Sequence, residues 1–268
     1  MAAPLVSIVT PSYNQAPYLE AAMQSVFGQD YSAIEYIVID GASTDGSPAL
    51  IKRNAPKLAY WISVPDRGQT DAINKGFAEA TGKYMAWLNA DDRLQPNAVR
   101  EAVEYLEAHP DVGMVYGGAD YIDTTGRVVG RFPAAQTDYP RLRRGYVHIP
   151  QQATFWRADL WGRVGPLDPS FTFAMDYDLW VRLAKISQLQ YVPRQWAQFR
   201  LHAGSKTIQN DRRAWDEMLR VHWREGGSWL AVIVFKYWLR RLVAPLIHAR
   251  RRRMLSNVGA GLRPAHDE

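Results

Sequence analysis

The chain has 268 residues, of which 47% are hydrophobic, and this length suits one α/β domain with an appendage. It contains no cysteine, which excludes disulfide bonds and thiolate zinc sites, and its formal net charge at pH 7 is +5. The N-terminus lacks a basic segment followed by an apolar run, which predicts no signal peptide and a cytoplasmic location.

Strand and helix patterns alternate along the first half of the chain. Short uncharged runs rich in β-branched residues predict strands, and amphipathic runs that begin near Pro or end near Gly predict helices. The predicted strands are 6–10, 34–39, 58–62, 84–88 and 112–116, and the helices between them begin near Pro17, Pro48, residue 70 and Pro96. This alternation predicts a mostly parallel, Rossmann-like sheet with helices on both faces.

The pattern changes in the second half. A hairpin is predicted with its turn at 124–127. Further along, the sequence predicts a loop over 137–150, a strand over 153–156, a helix over 176–184 and a long polar helix over 205–225. We therefore divide the chain into a first half of about 1–118, a second half of about 119–225 and a tail over 226–268.

Polar groups follow three of the predicted strands. Their sequences are PSYN at 11–14, DGASTDG at 40–46 and NADD at 89–92. In a parallel α/β sheet, ligands bind beyond the carboxyl ends of strands. An aromatic ring there can stack on a base, and a carboxylate pair can hold a divalent cation between two phosphates. Taken alone, DG could be a turn and DD a helix cap, but their occurrence at successive strand ends predicts one shared cleft.

Six motifs together resemble those of the family-two inverting glycosyltransferases of GT-A fold. They are VSIVTPSYNQ at 6–15, VIDGASTDG at 38–46, DRGQTDAINKG at 66–76, WLNADD at 87–92, HIPQQATFW at 148–156 and MDYDLW at 175–180. The resemblance implies a donor half at 1–118, an acceptor half at 119–225 and transfer from a nucleotide diphosphate sugar, with UDP as the default. The Gln-x-x-Arg-Trp signature of processive synthases is absent, which favours the addition of one sugar per event.

The resemblance also implies roles for individual residues. The donor would be held by Pro11, Tyr13, Asn14, Asp40, Arg67, Asp71, Lys75 and Asp91, with Tyr13 and Asp40 at the base. The cofactor would be Mn²⁺ or Mg²⁺, held by Asp91, Asp92 and His202, although a lone His is more often structural. Asn89 replaces the first Asp of the family's Asp-x-Asp, which leaves open whether Asp91 or Asp92 is the direct ligand.

Asp176 is the implied catalytic base. An inverting transfer is one displacement, in which a carboxylate accepts the proton of the acceptor hydroxyl and a metal neutralises the departing diphosphate. The rival is Asp178, but two helical residues place it about 200° away around the axis. A helix N-cap is the structural alternative for Asp176. The acceptor side would include His148, Gln151 and Gln152.

The tail over 226–268 is basic and rich in Trp. Eight of the 32 Lys and Arg residues lie in it, and its only acids are Asp267 and Glu268. Because the body is close to neutral, we expect no nucleic acid partner. Lys236, Arg240 and Arg241 interrupt an apolar run of nearly membrane-span length.

We therefore predict that the tail is an amphipathic helix lying on an anionic membrane surface. A helix that packs on the protein itself is the alternative. The enzyme would then be attached peripherally to the cytoplasmic face of the inner membrane, with a glycan or a lipid-linked glycan as its acceptor.

Two other functions use related features. A nucleotidyltransferase acting on sugar phosphates would normally carry a Gly-rich phosphate loop after the first strand, and PSYN is not such a loop. A non-catalytic sugar-binding module would have no need of Asp91, Asp92 and Asp176 together. A dinucleotide dehydrogenase is excluded because no G-x-G-x-x-G follows a strand.

Overall fold

The computed structural model describes residues 3–202, 204–205 and 211–239. The strands are β1 Val6–Ser12, β2 Ile34–Asp40, β3 Tyr60–Ser63, β4 Tyr84–Trp87, β5 Arg93–Leu94, β6 Val112–Ile122, β7 Val128–Arg131, β8 Thr154–Arg157 and β9 Gln188–Arg200. The helices are α1 Ala16–Phe27, α2 Ser47–Asn54, α3 Gln69–Ala78, α4 Ala98–Ala108, α5 Tyr139–Leu142, α6 Ala158–Val164, α7 Met175–Ile186, α8 Asp211–Arg224 and α9, residues 232–239. The predicted tail beyond residue 239 and residues 206–210 of the predicted polar helix lie outside the described residues.

All nine strands join one sheet, in the order β3-β2-β1-β4-β8-β6-β9-β5, with β7 paired to β6. The strands β3, β2, β1 and β4 run parallel, as the alternating pattern predicts. Beyond them β8 is inserted antiparallel between β4 and β6, and β6 pairs with β9 in parallel. The α/β sheet predicted for the first half is therefore confirmed, and the second half extends it as a mixed sheet.

Helices cover both faces of the sheet, and its central strands are therefore buried on both sides. On β1, Val6 and Ile8 pack with α1, α2 and α4, whereas Val9 packs with α3 on the opposite face. Helices α6 and α7 and Val221 of α8 join that second core. Parallel strands that are buried on both faces are expected to be uncharged and rich in Val and Ile, and this is the composition of β1.

A tryptophan cluster lies where the two halves meet. Trp87 of β4, Trp156 of β8 and Trp180 of α7 are each at most 1% exposed. The rings of Trp87 and Trp180 stack with centroids 5.6 Å apart, and Trp156 meets both rings edge-on. This cluster fastens α7, which belongs to the second half, to the end of a strand of the first half.

The longest strand of the described sheet, β9, has no counterpart among the elements predicted from the sequence. In the sequence, Pro193 and the adjacent Arg194 favour an irregular segment over a strand. In the structure Pro193 lies at a bulge, because Tyr116 pairs with Tyr191 but Gly118 pairs with Gln195. A bulge tolerates proline since its residues donate no ladder hydrogen bond.

Other elements also differ from the prediction. The predicted strand 112–116 and the first arm of the hairpin form a single strand, β6, because Gly117 continues it. A Cβ at Gly117 would lie 2.6 Å from the Trp196 ring, so this glycine is required by close packing. The hairpin itself is confirmed. The helices α5, inside the predicted loop, and α6 are additional.

Helix α9 packs one side on the body and exposes the other. Ile233, Val234 and Tyr237 are at most 9% exposed, and the Tyr237 hydroxyl donates to Asp216 at 2.8 Å. Large apolar side chains on the other side, and in the residues before the helix, are exposed; they are Trp229, Leu230, Phe235, Trp238 and Leu239. Among the described residues, no helix has both the length and the apolar character to cross a membrane.

The close approach of α3 to β1 gives a first testable prediction. A Cβ at Gly76 of α3 would lie 2.4 Å from Val9 Cγ1, so Gly76→Ala should lower the free energy of unfolding by about 1–3 kcal/mol. Gly162→Ala is the matched control, because a Cβ at that position of α6 has nothing within 4 Å. The control should raise the free energy of unfolding by about 0.5–1 kcal/mol. Urea unfolding checks both, and a Gly76→Ala protein as stable as wild type would contradict the packing.

Candidate active site

A cavity of about 1090 Å³ opens at the carboxyl ends of β1 and β4. Both halves of the chain line it. The first half contributes Pro11, Tyr13, Gly41, Asp66, Asn89 and Asp91, and the second contributes Phe132, Gln151, Gln152, Phe173, Asp176 and Phe199. The cleft predicted at successive strand ends therefore exists. Among the described residues that line it, three are carboxylates and none is Lys or Arg.

One wall of the cavity is formed by Tyr13 and Asp66. The Tyr13 ring, which is 61% exposed, is available for stacking. A Cβ at Gly41 would lie 2.5 Å from Asp66 Oδ2 and 3.2 Å from Tyr13 Cδ2, so only glycine lets these side chains come together. Asp66 was assigned no role from the sequence. Its place at the start of the DRGQTD motif was the available signal.

Two predicted donor residues lie behind this wall. Asp40 is fully buried and accepts hydrogen bonds from the backbone N–H and hydroxyl of Ser43 and from the Ser63 hydroxyl. Asn14, with φ of 51°, accepts from the N–H of Thr44 at 2.9 Å and so ties the loop after β1 to the loop after β2. Neither side chain lines the cavity. In this structure both hold the turn that presents Gly41.

Arg67, Asp71 and Lys75 form an ion-paired group at the start of α3. The Asp71 carboxylate lies 3.0 Å from Arg67 Nη2 and 3.1 Å from Lys75 Nζ. Burial by itself would raise the pKa of Asp71, but hydrogen bonds from Arg67 and Lys75 outweigh it and lower the pKa to about 2. These three side chains lie outside the cavity lining, next to Asp66 and Gly68, which do line it.

Asn89 connects three elements at the floor of the cavity. Its amide oxygen accepts from Gln69 at 2.7 Å, and its amide nitrogen donates to Gln151 at 3.1 Å and to Asp92 at 3.2 Å. Gln151 in turn donates to the carbonyl of Trp87. A carboxylate at position 89 could accept but could not donate. This network gives a physical reason for the departure from Asp-x-Asp.

Asp91 and Asp92 have different surroundings. Asp92 is 1% exposed, and its two oxygens accept from the backbone N–H of Arg200 and from Asn89. Burial, and then the charge of Asp91, raises the pKa of Asp92 well above its ordinary value. Asp91 lines the cavity, with Oδ2 at 2.9 Å from Nε2 of His202. Of the two carboxylates, Asp91 is therefore the one that faces the cavity.

The atoms that the described structure offers to a cation here are Oδ2 of Asp91 and Nε2 of His202. Within the described part of the chain, no three His, Asp or Glu residues gather as a metal site. Two donors at about 2.1 Å from an octahedral ion and adjacent around it lie about 3 Å apart. In this structure Asp91 Oδ2 and His202 Nε2 are hydrogen-bonded at 2.9 Å, and this separation is also compatible with that spacing. A cation held by this pair would need further oxygens from a ligand or from water.

Asp176 and Asp178 point to different environments although both begin α7. Asp176 lines the cavity, is half-buried, and accepts from the N–H of Tyr177 at 2.7 Å. Burial raises the pKa of Asp176 to about 6. Asp178 is fully buried, 2.9 Å from Arg182 Nε and 2.5 Å from Arg224 Nη1. The structure thus separates a carboxylate open to the cavity from one committed to ion pairs.

The predicted acceptor residues are also divided. Gln151 and Gln152 line the cavity, and the buried Nε2 of Gln152 has no hydrogen-bond partner among the described residues. His148 does not line the cavity, and its Nδ1 lies 3.0 Å from the carbonyl of Pro133. Phe132 and Phe199, which sequence reasoning did not identify, add aromatic rings on either side of Tyr121.

Comparison with known proteins identifies the family. The sequence profile described as Glycosyl transferase family 2 matches residues 7–160, more than half of the chain. The chain belongs to glycosyltransferase family 2. An uncharacterized glycosyltransferase of Mycobacterium tuberculosis is 35% identical to this family-2 protein over 189 residues, covering 69% of this chain and 71% of the relative. A PGL/p-HBAD biosynthesis glycosyltransferase of Mycobacterium bovis is 31% identical over 68% of this chain and 70% of its own length.

Solved structures agree with the fold of this family-2 glycosyltransferase. Staphylococcus aureus TarS residues 1–349, in complex with UDP-GlcNAc, gives a TM-score of 0.69 at 15% identity, over 90% of this chain and 73% of that one. The mannosyltransferase PcManGT of Pyrobaculum calidifontis, in complex with GDP-Man and Mn²⁺, gives 0.65 at 21% identity, over 98% and 81%. The predicted GT-A fold is confirmed.

The contrast between the two carboxylates of α7 predicts opposite effects on the stability of this glycosyltransferase. Asp178→Asn leaves Arg182 and Arg224 without their buried counter-charge and should lower the free energy of unfolding by about 3–5 kcal/mol. Asp176→Asn is the control. Because the folded pKa of Asp176 is raised from 3.8 to about 6, wild type loses stability as pH rises between these two values, and Asn removes that loss. Urea unfolding at pH 5 and pH 8 should show Asp176→Asn at least as stable as wild type at pH 8. Equal losses for both variants would contradict this assignment.

Proposed function

We propose that this protein is an inverting, metal-dependent glycosyltransferase that moves one sugar from a nucleotide diphosphate to a hydroxyl of a glycan or lipid-linked acceptor. The observation that carries the proposal is the cavity itself. It is lined by Asp176, whose pKa is raised, and by Asp91 beside His202, while the described lining residues include no Lys or Arg. A cation bound at Asp91 would neutralise the charge of a diphosphate, and a single base suits one displacement.

The donor is proposed to bind on the first-half side of the cavity. The exposed Tyr13 ring can stack on a base, and Asp66 next to it can accept a hydrogen bond from the base or ribose. UDP is the favoured nucleotide. TarS, with the TM-score of 0.69, was solved with UDP-GlcNAc, whereas PcManGT was solved with GDP-Man. Arg67 and Lys75, at the rim, would contribute positive charge near the phosphates.

Asp91 and His202 are the proposed ligands of Mn²⁺ or Mg²⁺. Asp91 Oδ2 and His202 Nε2 lie 2.9 Å apart and Asp91 lines the cavity, whereas the oxygens of Asp92 are already occupied by Arg200 and Asn89. Asp92 is then a support for this corner and not a direct ligand. The bound cation would supply charge neutralisation for the departing diphosphate. PcManGT, the structural neighbour, was solved with Mn²⁺.

Asp176 is the proposed general base. Its carboxylate faces the cavity from the second half, opposite the donor side, and accepts the proton of the attacking acceptor hydroxyl. A pKa of about 6 makes it a stronger base than an exposed Asp while leaving it ionised at neutral pH. Asp178 cannot share this role because Arg182 and Arg224 enclose it. One displacement by the hydroxyl inverts the anomeric centre.

The reaction is tested with a panel of UDP- and GDP-sugars and the product analysed by NMR. We expect transfer with inverted anomeric configuration. Asp176→Asn should lower kcat by roughly 10²-fold or more while donor binding survives. In wild type, kcat/KM should rise with pH through an apparent pKa of about 6, because only ionised Asp176 accepts the proton. A retained configuration, or an unchanged kcat for Asp176→Asn, would rule out this mechanism.

The metal assignment is tested by comparing Asp91 with its neighbour. EDTA should abolish transfer, and Mn²⁺ or Mg²⁺ should restore it. Asp91→Asn should raise the concentration of Mn²⁺ needed for half-maximal activity by roughly 10- to 100-fold. Asp92→Asn should lower thermal stability but change that concentration far less, because its oxygens bond to protein groups. The reverse ranking would make Asp92 the ligand, and full activity in EDTA would remove the metal from the proposal.

The membrane is the proposed location of the acceptor. On α9 and the residues before it, Leu230 is 96% exposed, Phe235 68% and Trp238 54%, although Ile233 on the opposite side is buried. Basic residues follow in the sequence, and the next acid is Asp267. Exposed aromatic and aliphatic side chains next to positive charge match an anionic lipid surface. The structure thus supports both sequence-based alternatives in part, since the same helix packs on the body and presents an apolar face.

Liposome flotation tests this attachment. Wild type should rise with anionic vesicles, and a Leu230→Ser/Phe235→Ser double variant should remain mostly at the bottom. Val128→Ser/Val129→Ser is the matched control, because those valines are also exposed, on β7, and should have no effect. Partial resistance of binding to high salt is expected, since burial of apolar groups is not screened. If the α9 variant floats like wild type, the membrane proposal is wrong. If it instead converts a dimer into a monomer, the face binds a second copy.

A further inference from the structure

We infer that Glu217 of α8 is a positioning residue for the base Asp176, which it serves by holding the loop that leads into α7. This inference rests on the proposed role of Asp176. Glu217 belongs neither to the segment matched by the family profile, which ends at residue 160, nor to the cavity lining. It acts through the backbone of residues 172–174.

The contact consists of four hydrogen bonds to one carboxylate. Three consecutive backbone N–H groups donate to Glu217: Thr172 at 3.0 and 3.1 Å, Phe173 at 2.7 Å and Ala174 at 2.8 Å. These groups precede α7, so no helical carbonyl is available to accept from them. A carboxylate that accepts several backbone N–H bonds forms a strong, charge-assisted contact. The loop is therefore fixed at the residues directly before Asp176.

Two more residues hold the beginning of the same loop. The Arg220 guanidinium, one helical turn after Glu217, lies 3.9 Å from the centre of the Phe171 ring and donates to the carbonyl of Ser170. From the other side, the Thr70 hydroxyl of α3 donates to the carbonyl of Phe171 at 2.9 Å. The loop is thus clamped between α3, which belongs to the donor half, and α8. The backbone path of this loop sets where the side chains of Phe173 and Asp176 line the cavity.

Glu217 also acts on the charge of Asp176. Burial is the larger cause of the raised pKa of Asp176, and the negative charge of Glu217 adds to it. On α7 itself, Asp178 faces the other way and is paired with Arg182 and Arg224. Asp66 and Asp91 are the other carboxylates of the cavity lining. Among the described charged groups, Glu217 is the one that both holds the loop before Asp176 and raises the pKa of Asp176.

Three variants separate the effect of Glu217 on the position of the loop from its effect on the pKa of Asp176. Glu217→Ala removes the acceptor, Glu217→Gln keeps an acceptor and removes the charge, and Asp216→Asn is the matched control. Asp216 is the adjacent residue of α8, and its carboxylate accepts from Tyr237 instead of the loop. For each protein we would measure kcat, the donor KM, the pH dependence of kcat/KM and amide hydrogen exchange at 172–174. A ¹³C titration of the Asp176 carboxyl group adds a readout that needs no activity.

We expect Glu217→Ala to lower kcat roughly 10- to 100-fold, because a small misplacement of the base is costly, with little change in donor KM. Exchange at 172–174 should accelerate about tenfold or more, since three N–H groups lose their acceptor. Glu217→Gln should retain more activity than Glu217→Ala, and its acid limb should move to lower pH because the pKa of Asp176 falls. Asp216→Asn should match wild type in every measurement.

The inference is overturned if Glu217→Ala folds, leaves exchange at 172–174 unchanged and leaves the titration of Asp176 where it is in wild type. These two measurements decide it even if wild type transfers no sugar, an outcome that would instead count against the proposed function. A loss of activity in Glu217→Ala without any change in exchange or titration would also overturn it, because the carboxylate would then act by another route. If Glu217→Ala does not fold, Glu217→Gln decides through the same two readouts.

Discussion

The cavity depends on the stack of Trp87 against Trp180, because this contact fixes α7, which carries Asp176, to β4, the strand that precedes Asn89 and Asp91. Each buried tryptophan removes about 150–250 Å² from water, which at about 25 cal/mol per Å² stabilises by roughly 4–6 kcal/mol. The indole N–H groups of Trp87, Trp156 and Trp180 have no partner among the described residues, and each costs about 1–3 kcal/mol. Burial exceeds that cost, so the cluster holds the two halves together although its polar atoms are unsatisfied.

The two halves supply different parts of the chemistry. The first half offers an aromatic ring and carboxylates at strand ends, where the loops are tied to each other by Asn14 and Asp40. The second half offers Asp176, the proposed base, on a helix whose entry loop is held by α3 and α8. The family profile matches residues 7–160, so Asp176 and the residues around it lie outside the matched segment.

The first half could be predicted from the sequence because its signals are local. Uncharged β-branched runs give the buried strands, and the polar groups that follow them are placed at one edge by the parallel topology. The second half could not be predicted to the same extent. Strand β9 is concealed by Pro193, whose bulge depends on β6, and the contact of Glu217 with residue 172 joins segments 45 residues apart. Nor does a motif show which way a side chain points: Asp40 and Asp92 belong to predicted site motifs, yet both are buried beneath the residues that face the cavity.

Helix α9 has a consequence for any shortened form of this enzyme. Ile233 occupies the space above Gly145, whose φ is +81°, and a Cβ at Gly145 would lie 2.5 Å from it. His222 supports the same region from α8, with its Nδ1 at 2.5 Å from the carbonyl of Arg143. A chain ending at residue 225 would therefore uncover apolar surface beneath the segment that leads to Gln151 and Gln152. Recombinant versions trimmed at that boundary to improve solubility should become prone to self-association, because removing the exposed apolar face of α9 also exposes the apolar surface that α9 covers.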